Sequence, residues 1–111
     1  MVRSVSADAI RVGGRSYGVT IALTTDRVID DIEVPAVAEL DVADFEGLLD
    51  EEPELVVVGT GTHNRFPPRD LMFAFARRGI GLEVMDTAAA ARTFNVLASE
   101  GRRLAALLYI D

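Results

Sequence analysis

A chain of 111 residues, half of them hydrophobic, is long enough for one domain with its own core. With no cysteine and one histidine, it excludes disulfides, thiol chemistry and, in effect, a structural zinc site. Its net charge of −7 argues against generic nucleic-acid binding, which depends on neutralising phosphate.

The beginning of the chain lacks an apolar run behind basic residues, and no stretch approaches bilayer length. A cytoplasmic, soluble protein without membrane insertion is therefore expected. Charge is unevenly placed. Residues 1–54 hold thirteen acids against four arginines, a balance of −9, while residues 55–111 hold five against seven, or +2. Every basic residue is arginine, whose planar fork can grip a carboxylate or phosphate with two donors.

In chain order, Ala9–Thr25 reads as a hairpin. Ile10 and Val12 alternate with polar neighbours, Gly13-Gly14 is a permissive turn, and a second strand runs from about Tyr17 to Leu23. "RVIDDIEV" is a weaker strand that Pro35 ends. "DVADFEGLLDEEP" predicts a short helix capped by Asp41, with Val42, Phe45, Leu48 and Leu49 on its apolar face. "LVVV", residues 55–58, is apolar without alternation, as in a central parallel strand covered on both faces.

"PRDLMFAFARRG" follows as a helix. Pro68 suits its first turn, Gly79 its C-terminal left-handed position, and both Phe73 and Phe75 are expected in the core. "GLEVM" is the next strand. "DTAAAARTFNVLASEG" is the next helix, capped by Asp86 or Thr87, with Ala90, Phe94, Leu97 and Ala98 buried and Gly101 at its end. "LAALLYI" closes the chain as a buried strand. The second half is thus β-α-β-α-β and the first half β-rich. Neither can bury a core alone, so one α/β domain with a mixed sheet, residues 1–111, is expected.

Ligands of open α/β sheets gather beyond the carboxyl ends of strands. There lies "GTGTHNR", in which Gly59, Thr60, Gly61, Thr62 and Arg65, helped by Arg92, form a candidate anion cradle. The third glycine of a dinucleotide fingerprint and the Gly-Lys-Ser/Thr of a P-loop are both missing, and a tight exit loop whose threonines bond its own backbone is the competing reading. His63 has no partner in sequence for acid–base work, and no nucleophile elbow surrounds Ser99. Arg92, Thr93 and Asn95 either line a cleft or act as internal cement, with Arg92 paired to Glu83 or Asp86 and Asn95 bonding loop carbonyls. No metal site, cofactor or catalytic residue is predicted. The acidic run Asp26–Glu54, twelve acids against Arg27, would steer a basic protein partner if folding keeps it on one face, or else serves solubility.

"VVVGTGTHNRFPP" followed by "RRGIGLEVMDTAAAARTFNVLASEGRRLAALL" closely resembles a family of small domains of unknown function in bacteria and archaea. Its eukaryotic relatives include mitochondrial complex I (NADH dehydrogenase) assembly factor three and an adipogenesis-associated protein. The resemblance is strong over residues 55–108 and looser before them. The positions carrying it are Gly59, Thr60, Gly61, Pro67, Glu83, Asp86, Thr87, Arg92, Thr93, Asn95, Glu100, Gly101 and Arg102. It implies a three-layer α/β fold around a mixed sheet and, through the mitochondrial relative, an assembly role with no established reaction. Related chains often place cysteine where this one has Ala91, so no thiol mechanism carries over, and His63 and Arg65 fall in a variable stretch. The leading expectation is a non-catalytic binding or assembly domain with another protein as partner. The alternative is a small-anion-binding protein or cryptic enzyme, with its cleft between the Gly59–Arg65 loop and the helix start at Asp86–Asn95.

Overall fold

Strand β6 (Leu55–Gly59) is the spine of the computed structural model, which describes residues 1–111. It pairs in parallel with β7 (Gly81–Met85) on one side and β8 (Leu104–Leu108) on the other. Beyond β8, the antiparallel β4 (Ile21–Thr24) and the two-residue β5 (Val28–Ile29) complete a mixed sheet of order β5-β4-β8-β6-β7. The connection β6-α2-β7 steps outward and β7-α3-β8 steps back past β6. Right-handed crossovers therefore put α2 (Arg69–Arg77) and α3 (Thr87–Ser99) on opposite faces.

The cores follow that division. Leu55, Val57, Ala106 and Leu108 face α3 and a second, antiparallel sheet of β1 (Val2–Val5), β2 (Ile10–Val12) and β3 (Arg15–Tyr17). Val56, Val58, Ala105 and Leu107 face α2, two 3₁₀ turns (Val37–Glu39 and Val42–Phe45) and the single-turn α1 (Glu46–Leu49). The continuous apolar run of β6 is thus explained: alternate residues serve different cores, and both faces are dry. No helix is long and apolar enough to cross a membrane.

Several local expectations need correction. The strand expected from Tyr17 to Leu23 is two strands in different sheets. The chain leaves β3 at Tyr17 and enters the central sheet at Ile21, with Gly18–Thr20 as the crossing. The same alternation serves both, so the break leaves no periodic signature. Strand β1, with Arg3 and Ser4 at its centre, has no apolar run to announce it. "RVIDDIEV" keeps only two residues in strand, although Ile32 and Val34 still pack on the core. The helix after Asp41 begins as a 3₁₀ turn with a capping box, in which Asp41 N–H donates to Asp44 Oδ2 at 2.9 Å and Asp44 N–H turns back to the Asp41 side chain; Val42 N–H also donates to Asp41 Oδ1, at 2.8 Å. Phe75 is buried edge-on against Phe45, with ring centroids 5.2 Å apart, but Phe73 is 57% exposed. Two residues along a helix are about 200° apart, so only one of the pair can face the sheet.

Candidate functional site

The loop leaving β6 is held by buried threonines. Thr60, fully buried, donates its hydroxyl to the His63 carbonyl at 2.6 Å and accepts the Arg65 N–H at 3.1 Å. Thr87, the first residue of α3, accepts the Gly61 N–H on Oγ1 at 2.8 Å and donates that hydroxyl to the Tyr109 carbonyl at 2.7 Å. The backbones of Gly61 and Thr87 also bond, Thr87 N–H to Gly61 O at 2.9 Å. Gly59 lets α3 approach this closely: a Cβ there would lie 2.7 Å from Thr87 Cα. Asp86 caps α3, accepting from Ala89 N–H at 2.8 Å.

Thr62 and Arg65 converge on a group that sequence reading misses, the side chain of Asp111. Oδ2 accepts the Thr62 N–H at 2.9 Å together with the Thr62 hydroxyl, and Oδ1 accepts from Arg65 Nη1 at 2.8 Å. Arg65 Nη1 also donates to the Thr60 carbonyl at 2.6 Å. The Thr62 hydrogen bonds first, and then Arg65, hold the Asp111 carboxyl well below the usual carboxylate range. Nearly fifty residues separate the partners, so no local spacing predicts the contact.

Beside this contact lies a cleft of about 220 Å³, between Val5 at the end of β1 with Ser6 and Ala7 just beyond it, the loop at Gly61–Thr62 and the start of α3. Arg92 does not join it. It lies on the exposed face of α3 and lines an adjoining cleft with Ala88, Asn95 and β1. Arg92 pairs with neither Glu83 nor Asp86. Asn95 bonds both polar groups of the Val2 backbone, accepting its N–H at 3.0 Å and donating to its carbonyl at 2.7 Å. It is the clamp that fastens β1 to α3. Thr93 donates to Met85 Sδ at 3.4 Å, and Glu83, Glu100 and His63 are exposed. Pro67 is half-buried on the approach to α2, and Arg102 pairs with Glu54 at 3.4 Å. No three His, Asp or Glu side chains gather as metal ligands.

All twelve acids between Asp26 and Glu54 are exposed, and three of them pair with the chain's own arginines: Glu51 with Arg27, Glu46 with Arg78, and Glu54 with Arg102. None of the large exposed apolar side chains lies in that segment. Three of the six fall within eight residues of sequence, on the approach to α2 and on its outer face: Phe66 is 77% exposed, Met72 41% and Phe73 57%, while Met1, Val19 and Val96 are scattered along the chain. Arg69 and Arg77, one turn before and after Phe73, are exposed and form no ion pair.

The sequence profile of a family described as protein of unknown function (DUF498/DUF598) matches residues 2–109. The chain belongs to the DUF498/DUF598 family. Among solved structures, a Xanthomonas campestris protein superposes with a TM-score of 0.89 at 36% identity, over 99% of this chain and 83% of that one. The human NADH dehydrogenase [ubiquinone] 1 alpha subcomplex assembly factor 3 is 44% identical over 61 residues, 55% of this chain and 33% of that protein. A Francisella tularensis protein called 13 kDa major membrane protein is 29% identical over 80 residues, 72% of this chain and 61% of its own length. The chain thus spans a third to about three fifths of these two curated relatives.

Proposed function

We propose that this domain is a non-catalytic docking module that holds another polypeptide during assembly. The observation that carries the reading is the exposure of three large apolar side chains within eight residues of sequence, Phe66, Met72 and Phe73. Grouped large apolar side chains left in water mark interaction surfaces, since covering them gains about 25 cal/mol per Å². Arg69 and Arg77 flank Phe73 without partners of their own, so the complementary surface is apolar with carboxylates at its rim. The acidic segment has no such apolar centre. Its part is long-range: nine unpaired carboxylates there favour a partner that places basic residues opposite them. The human relative's name, an assembly factor, supports the reading, and the match falls within this chain. A cytoplasmic setting is part of the proposal, tested by cell fractionation; the Francisella relative's name makes the membrane fraction the informative one.

The test is affinity capture with wild type and with Phe66→Ser and Phe73→Ser. One protein should co-purify with wild type and be lost from both variants at unchanged melting temperature. Raised salt and neutralisation of Asp50, Glu51 and Glu52 should slow its association. A metabolite recovered from the native protein, with no protein partner at any ionic strength, would refute docking. One observation favours a second reading, small-anion binding: the convergence of Thr62 and Arg65 donors on a carboxylate.

A further inference from the structure

We propose that the Gly61–Arg65 loop is a carboxylate-recognition site, and that the Asp111 side chain is a resident occupant exchangeable for a carboxylate from outside. The inference deepens the small-anion reading and rests on it; it stands independently of the docking reading.

The donors are arranged for two oxygens. Thr62 meets Oδ2 with its N–H and hydroxyl, and Arg65 Nη1 meets Oδ1. That distribution matches a flat, singly charged carboxylate. A phosphate would bring further oxygens and charge toward Asp86, which lines the same cleft. Gly61 opens the space, because a Cβ at this position (φ +96°) would overlap the Asp111 carboxylate.

The site is held without its occupant. Thr60 fixes the His63 carbonyl and the Arg65 N–H, while Thr87 fixes the Gly61 N–H. None of these bonds involves Asp111. The occupant, by contrast, is loosely tethered. Asp111 makes no backbone hydrogen bond, and the nearest anchor is Ile110 N–H on Thr20 Oγ1 at 3.1 Å. Both partners of the Arg65–Asp111 pair are substantially exposed, so water and dissolved anions reach the contact. The adjoining cleft of about 220 Å³, walled by Val5, Ala7 and Ala88, gives room for the body of a ligand whose carboxylate replaces that of Asp111.

The test titrates sodium acetate into the isotope-labelled protein, with sodium chloride at matched ionic strength as the reference. In Asp111→Ala, amide signals of Gly61–Arg65 should move saturably with acetate alone. Wild type should need at least about tenfold more acetate, because only the fraction with its site vacated can bind. Adding Arg65→Gln to Asp111→Ala should abolish the response. A blocked peptide with a single glutamate distinguishes the sources: saturation by acetate assigns the site to free carboxylates, and saturation by the peptide alone to a side chain of another polypeptide. The proposal is overturned if Asp111→Ala binds no better than wild type, if chloride acts like acetate, or if phosphate binds more tightly than acetate. It is equally overturned if the loop signals of Asp111→Ala broaden before any addition, because the donors would then need Asp111 to hold them.

Discussion

Replacing Gly59 by alanine tests the joint on which the site is built. Gly59 ends β6, pairs with Met85 and Leu108, and accepts the Tyr109 N–H at 2.8 Å, so it cannot shift alone. An added Cβ would lie 2.7 Å from Thr87 Cα, 2.8 Å from Thr87 Oγ1 and 3.0 Å from Leu108 Cδ2. Carbon atoms rest at about 3.5–4 Å, and the nearest atom is helix backbone, which no rotamer change can move. Helix α3 must therefore back away from the sheet. Overpacking of this kind costs about 1–3 kcal/mol. Moving Thr87 also lengthens its bonds to Gly61 and Tyr109, and losing one adds about 1 kcal/mol. The expected loss is about 3 kcal/mol, which in a domain of this size lowers Tm by roughly 10–15 °C. Thermal unfolding followed by circular dichroism measures it, with Gly14→Ala as the control. No atom lies within 4 Å of a Cβ at Gly14, so that variant should stay within about 2 °C of wild type. A Gly59→Ala protein melting within about 3 °C of wild type would refute the rigid seating of α3 on β6.

At Gly101 the backbone has φ +79° with nothing within 4 Å of a Cβ, so Gly101→Ala should cost about 1 kcal/mol from the left-handed conformation alone. An unchanged urea midpoint would contradict this. Burial first, and then the charge of Asp44, push the Tyr109 phenol up to about 12. Because the folded pKa exceeds the unfolded value of about 10, the stabilisation is complete below that pH and is lost as pH rises toward 12. Absorbance at a phenolate wavelength should show a late phase that Tyr109→Phe removes. Asp111 has the opposite sign: its folded pKa is depressed, so the contact is present above the unfolded pKa of about 4 and lost only as pH falls through the lower folded value. The Thr62 amide shift should accordingly stay flat from neutral pH to about 4, and a midpoint there would contradict the contact.

The second half of the fold was legible because its signals are local. The apolar run at Leu55–Val58, the cap at Asp86 and the left-handed glycines Gly79 and Gly101 each act within a few residues of themselves. In the first half the Gly13-Gly14 turn and the Asp41 cap were legible for the same reason, but the extent of the strands was not, because pairing partners decide it. Nothing local distinguishes the alternation that ends at Tyr17 in one sheet from that which starts at Ile21 in the other. Polar residues divide in the same way. Asp86 as a cap follows from its own position, whereas Asn95 clamping Val2 spans 93 positions. Phe73 could have been placed from helical period alone, since Leu71 and Phe75 already define the buried face of α2.

A self-bonded exit turn and an anion cradle, alternatives for the loop when read as sequence, belong to different residues. Thr60 and Thr87 spend their hydroxyls on backbone, and by doing so they place Thr62 and Arg65 as donors. If that division holds, a residue that touches no carboxylate should still govern its binding. Thr60→Val keeps the shape of the buried side chain but leaves the His63 carbonyl without its donor and the Arg65 N–H without its acceptor. In the Asp111→Ala background it should weaken acetate binding about tenfold, which corresponds to about 1.4 kcal/mol, a reasonable share of two lost hydrogen bonds. Thermal unfolding of the same variant must show it still folded at the titration temperature. If the folded variant binds acetate as tightly as its parent, the threonine does not set the donors, and the loop is two independent devices sharing a turn.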